Sequence, residues 1–199
     1  YELVINEALR SALNYDTPDE QINEFIRFFG KHIGSDRIYI FEDCDEKHVT
    51  QNTYEWCADG IVPEIHELQN VDMDIIGWWY QAFDKDRNVI ITDIEQIKDE
   101  RRESYNLLKA QNVKNLVVCP IRYKDEIKGF FGVDNPPESD TLGLTTFLDM
   151  IGTLLISLLK LRNSFTKSNK EAMLSSYSSL SSIYISMALV NVHTHRYHI

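Results

Sequence analysis

The chain has 199 residues, a hydrophobic content of 43 % and a formal net charge of −11. That length and composition suit one folded domain with a real core plus extra helices. The acidic balance disfavours nucleic acid and anionic lipid as partners, because phosphate would be repelled. No apolar run approaches the roughly 20 residues a membrane span needs; the nearest, 151–161, carries Ser157 and Lys160.

Taken in order, 2–13 reads as a helix, with Ile5, Leu9, Ala12 and Leu13 at helical spacing. Thr17-Pro18-Asp19-Glu20 is a helix start: a capping hydroxyl, a proline at the first turn and two acids at the positive end of the dipole. That helix runs to about Ile33 and stops at Gly34. Ile38–Phe41 is four consecutive apolar residues, as in a central strand covered on both faces, and 47–59 follows as its hairpin partner. Residues 60–74 are mixed. A helix over 75–84 carries Trp78, Trp79 and Phe83; a short strand over 88–93 and a charged helix over 95–111 follow, with Asn112 as its left-handed stop. A second hairpin joins 115–123 to 127–135 around Lys124-Asp125-Glu126.

From 142 to 168 one long helix is predicted. Leu144, Phe147, Ile151, Leu154, Leu158, Leu161 and Phe165 step by three and four, the seam that pairs helices in a coiled coil. Leu148 and Leu155 make a shorter second stripe. One stripe can pack on the domain and the other on a partner, so a homodimer through the terminal helices is expected. Past Ser168 the composition turns Ser-rich. Ile183, Ile185, Met187 and Leu189 then alternate as a strand would, which suggests a linker and the opening of a further module over 166–199. The chain begins inside a helical pattern and reads as a piece excised from a larger protein.

The most informative stretch is 129–137, Gly-Phe-Phe-Gly-Val-Asp-Asn-Pro-Pro. A strand there ends in a polar stop and two prolines that cannot donate to a sheet ladder. Gly129 and Gly132 strip side chain from the strand where another backbone packs close or the strand bends. Together with Tyr54-Glu-Trp-Cys57, Asp59-Gly-Ile61 and Asn115-Leu-Val-Val-Cys-Pro120, this order of strings resembles a GAF domain, similar to those preceding GGDEF (diguanylate cyclase) domains in bacterial signalling proteins. The resemblance covers about 16–165 and makes 1–15 an N-terminal helix. Residues 178–192 resemble, more distantly, the start of a PAS-like sensor.

The resemblance implies an α+β fold: a central antiparallel sheet, helices packed on one face, long N- and C-terminal helices, and a loop-covered pocket on the other face. It implies a cytoplasmic, non-catalytic module that senses an unknown small molecule and regulates an output domain, a diguanylate cyclase in cyclic-di-GMP signalling. Candidate ligand-binding residues are Tyr39, Phe41, Trp56, Cys57, Trp78, Trp79 and Cys119, whose aromatic surfaces suit enclosing a small organic ligand. The Asn-Lys-Phe-Asp-Glu motif of cyclic-nucleotide-binding GAF domains is absent as a unit, and no cysteine stands in a bilin-attachment context. The alternatives are a ligand-free dimerisation scaffold with a filled pocket, and a GAF-fold thiol reductase.

No cofactor, metal or catalytic residue is assigned. Cys44, Cys57 and Cys119 are too few and too irregular for a disulfide framework, and read as buried thiols of a reducing compartment. His193, His195 and His198 lack accompanying cysteine or carboxylate ligands. The acids at 43–46 and 72–74 lack the spacing of a calcium loop and read as solvated turns.

Overall fold

The computed structural model describes the backbone of residues 2–137 and 141–194. The chain divides into two compact units, Tyr1–Leu159 and Lys160–Ile199. In the first unit, α1 (Glu2–Ala12) and α2 (Pro18–Ile33) precede the hairpin β1 (Arg37–Cys44) and β2 (Val49–Cys57). A short β3 (Val71–Asp72), α3 (Gly77–Phe83), β4 (Val89–Ile91) and α4 (Arg102–Ala110) follow. Then come the second hairpin, β5 (Leu116–Tyr123) and β6 (Glu126–Asp134), and the start of α5 (Thr141–Thr194).

Local chemistry sets these boundaries. Thr17 and Glu20 form a reciprocal capping box: Thr17 Oγ1 accepts from the Glu20 N–H at 3.3 Å and Glu20 Oε2 from the Thr17 N–H at 3.1 Å. Gly34 closes α2 at φ 70°. Lys124 and Asp125 turn the second hairpin with φ of 49° and 67°, the pair of left-handed residues that a two-residue turn matched to strand twist requires. The charged stretch after β4 is not one helix. A 3-10 turn over Ile94–Ile97 is separated from α4, which ends before Asn112 at φ 59°.

The strands form one six-stranded sheet in the order β3-β2-β1-β6-β5-β4, with every pairing antiparallel. β1 is central, as its unbroken apolar run predicted. Side chains alternate between two faces. One face carries Ile38, Ile40, Tyr54, Val117, Cys119, Phe131 and Val133 against α1, α2 and the start of α5. The other carries Tyr39, Phe41, Leu116, Val118 and Phe130 against α3, α4 and their flanking loops. Helices therefore cover both faces, the short pair lying where loops alone were expected.

Close packing accounts for two glycines. A Cβ on Gly30 of α2 would fall inside the Trp56 ring, and one on Gly132 inside the ring of Tyr39. Gly30→Ala gains about 0.8–1 kcal/mol of helix propensity. It also forces an overpacking cost at the upper end of about 1–3 kcal/mol. A net loss near 2 kcal/mol is expected in urea unfolding, recovered in the Gly30→Ala, Trp56→Leu double variant.

α5 corrects two expectations. The stripe buried on the sheet is Leu144, Leu148, Ile151, Leu155 and Leu159. Leu144 and Ile151 thus belong to the domain's own core and are unavailable to a partner helix. Phe147, Leu154 and Leu158 are half-buried at its margin. Gly152 lets the helix settle onto Phe131 and the Pro120 carbonyl, the latter only 3.3 Å from where a Cβ would stand. In the second unit the backbone is helical to Thr194, so the strand expected from Ile183, Ile185, Met187 and Leu189 does not form. The sequence supplies a reason: no glycine or proline occurs after Gly152 to stop a helix. His195 and His198 lie outside the described residues. No helix among the described residues is long and apolar enough to cross a membrane.

Candidate functional site

The sheet face away from α5 holds a small, partly open cavity of about 40 Å3. β1 supplies Arg37, Tyr39 and Phe41 at alternate positions, and β6 supplies Phe130 and Asp134. Ile76, which caps α3, and Trp79 of α3 close one side, with Leu108 from α4 and Val71 from β3. Phe41 stacks on Phe130 at 4.8 Å between ring centroids, and Trp79 meets Phe130 edge-on at 5.4 Å. These rings fill most of the hollow, leaving a residue of space rather than an open basin.

One end of the cavity is charged and buried. Arg37 Nη1 donates to Asp134 Oδ2 at 3.0 Å and Nη2 to the Val62 carbonyl at 2.8 Å. Its Nε lies 3.3 Å from Glu55 Oε1. Glu55 Oε2 accepts from the backbone N–H groups of Glu64 and Ile65 at 2.9 and 3.1 Å, which ties the loop after β2 to the sheet. The Tyr39 ring packs over Gly132, where a Cβ would collide with it, and faces the Asp134 carboxylate. The next residue, Asn135, sits at φ 50°; its Oδ1 accepts from the Lys114 N–H at 2.7 Å and its Nδ2 donates to Asp36 Oδ2 at 2.7 Å. The polar stop of the motif is thus a clasp: Asp134 holds Arg37, and Asn135 joins the starts of β1 and β5.

Burial pushes the Asp134 carboxyl up to about 6, against the opposing pull of Arg37 and Tyr39. An acid whose folded pKa exceeds its unfolded value binds its proton more readily when folded. The contribution of Asp134 to stability is therefore fully present only below pH 3.8 and is lost as pH rises through about 6. Comparison with Asp134→Asn across that window should show the native chain losing roughly 2 kcal/mol relative to the variant on going from pH 4 to pH 7. Urea midpoints at each pH measure it.

Of the predicted ligand-binding residues, Tyr39, Phe41 and Trp79 line the cavity. Trp56 and Cys119 do not: each packs on the face covered by α1, α2 and α5, because its position along the strand has the opposite parity. Cys57 stands at the end of β2 opposite Arg37, outside the cavity. Trp78 faces the surface. Its Nε1 donates to Ser104 Oγ at 2.9 Å, and the Arg101 guanidinium lies 5.7 Å above its ring. Arg37, Glu55, Phe130 and Asp134 were not anticipated as site residues. The period-two alternation of β1, β2 and β6 was the signal available for them.

The cysteines do not converge. Cys44 and Cys57 sit at opposite ends of the first hairpin, roughly 23 Å apart at the usual strand rise. Cys119, on β5, is three strands away from Cys57 on β2, about 14 Å at normal strand spacing. Both separations exceed the roughly 6.8 Å between Cα atoms that a disulfide allows. Burial also pushes the Cys57 thiol up, away from thiolate. His48, Asp72 and Asp74 cluster on the surface within 4.8 Å of one another. A hydrogen bond to Asp74 raises the pKa of His48, consistent with a solvated pair.

Residues 17–159 match the family model described as GAF domain. A curated relative, the methanogenesis regulatory histidine kinase FilI of Methanothrix harundinacea (strain 6Ac), is 26 % identical over 128 residues. The match takes in 62 % of this chain and 14 % of that protein, so the chain spans about one seventh of the relative's length. Among solved structures, the phycocyanobilin-bound GAF domain of a cyanobacterial phytochrome superposes with a TM-score of 0.62 at 18 % identity, covering 79 % of this chain and 94 % of that one. The GAF domain of an Acinetobacter phosphoenolpyruvate-protein phosphotransferase gives 0.61 at 10 % identity, covering 82 % and 95 %.

Proposed function

The chain belongs to the GAF domain family, and on that premise we propose that it is a non-catalytic sensory module whose ligand enters between the sheet and α3. One observation carries this reading: a small, aromatic-lined cavity with a buried Arg37–Asp134 pair at its end. A ligand that favours one placement of α3 over another shifts a two-state equilibrium by its difference in affinity; about 1.4 kcal/mol moves the ratio tenfold. α5 packs on the opposite face of the same strands and carries the change towards an output domain. The regulatory histidine kinase among the relatives supports signal transduction as the setting. The diguanylate cyclase output rests on sequence resemblance alone. Cytoplasmic placement follows from the same reading.

Native mass spectrometry of the purified chain tests the reading. A co-purified small molecule that also raises the melting temperature supports it; a clean mass, with no stabilising compound in a ligand screen, removes it. A bilin of the kind held by the phytochrome relative would require α3 to move aside, since the cavity is only about 40 Å3.

That same small volume favours a second reading, a dimerisation scaffold whose pocket is filled by its own rings. In both readings the partner-facing seam comprises Phe147, Leu154 and Leu158 at the core margin, then Leu161 and Phe165, which are 52 % and 43 % exposed. Leu161→Glu with Phe165→Glu should halve the mass in sedimentation while the melting temperature of the sheet domain holds. An unchanged mass would dispose of the seam.

A further inference from the structure

Polar atoms are left over at one place in this cavity. Trp79 is 4 % exposed and its Nε1–H has no hydrogen-bond partner among the described residues. Asp134 is 2 % exposed and its Oδ1 has none either. Arg37 Nε makes no hydrogen bond, although Glu55 lies nearby. All three residues line the same cavity. Folded proteins seldom leave such groups unsatisfied, so a donor and an acceptor orphaned around one hollow specify what should fill it.

Each atom restricts the occupant. The indole N–H can only donate, so the occupant presents an acceptor. An ionised Asp134 can only accept, so the occupant also presents a donor. Arg37 already faces two carboxylates, Asp134 and Glu55, so an anion would meet an excess of negative charge. An ammonium would satisfy Asp134 but offer nothing to Trp79. Gln111 adds one further polar residue; the rest of the wall, including Phe41, Ile76, Leu108 and Phe130, is apolar surface that suits a short hydrocarbon portion. A buried water needs roughly 10–15 Å3, so about 40 Å3 accommodates the bulk of roughly three waters.

We propose that the ligand of this cavity is a neutral molecule of about three to five non-hydrogen atoms, bearing one hydroxyl or primary amide that accepts from Trp79 and donates to Asp134. This rests on the sensory reading given above and narrows it to short-chain alcohols and amides. Tetrapyrroles, nucleotides and organic acids fall outside the class.

The indole N–H signals of the nitrogen-15-labelled chain provide the test, since the chain has only three tryptophans and the Trp79→Phe variant identifies one of them. 1-Propanol and acetamide should each move the Trp79 signal saturably, leaving those of Trp56 and Trp78 in place. Propionate and propylammonium should leave all three unmoved. The proposal is overturned if the alcohol and the amide produce no saturable shift, or shift all three signals alike. It is also overturned if the Trp79 proton shows contact with long-lived water that 1-propanol does not displace. Should a larger or charged compound move Trp79 where the short ones fail, the ligand class is wrong and the sensory pocket stands. Should no compound move it and no bound mass be found, both are wrong.

Discussion

Replacing Arg37 with methionine is expected to cost about 3–5 kcal/mol of folding free energy. That is a large share of the roughly 5–15 kcal/mol that holds a domain together. The magnitude follows from what remains behind. Glu55 and Asp134 would each keep a buried charge, and the Val62 carbonyl would lose its donor. Glu55 retains two backbone N–H partners, so the greater loss falls on Asp134. Protonation of Asp134 offsets part of it, and the penalty should therefore shrink towards pH 5. The double variant Arg37→Met, Asp134→Asn should lose less than the sum of the single changes, by roughly 1–3 kcal/mol. Urea unfolding of the four proteins measures the coupling. A cost for Arg37→Met within about 0.5 kcal/mol, the usual range for a surface substitution, would mean that the cluster is solvated and organises nothing.

Leu155→Ala and Leu161→Ala should differ sharply although both residues lie on α5. Leu155 is fully buried on the sheet, and truncation leaves a hole costing about 2–5 kcal/mol. Leu161 is 52 % exposed, and its truncation should alter unfolding by less than about 0.5 kcal/mol. Equal effects would return the heptad seam to the domain core. A thermal melt of each variant at low protein concentration separates folding from association.

The contrast shows where sequence was informative. Capping at Thr17, the αL stops at Gly34 and Asn112, and the central position of β1 were legible because each depends on a few adjacent residues. The stripe on α5 was harder. Leu144 and Ile151 belong equally to a three-four ladder shared with Leu148, Leu155 and Leu159 and to the ladder that continues to Phe165. Only the position of the sheet decides between them. The site suffered from a different omission. Residue type alone does not place a side chain in the cavity; alternation along the strands separates Tyr39 and Phe41 from Trp56 and Cys119. Arg37 gave no signal of its own, since a charged residue before an apolar strand reads as solvated until Asp134 is brought beside it from 97 positions away.

Phe130 and Phe131 are consecutive, yet one ring faces Trp79 and the other the groove in which α5 rests beside Gly152. On the proposed sensory reading, a ligand pressing on the first ring would act on the second through a single peptide unit. The partition between the cavity and α5 is one backbone thick, so coupling between them would require no chain of intermediaries.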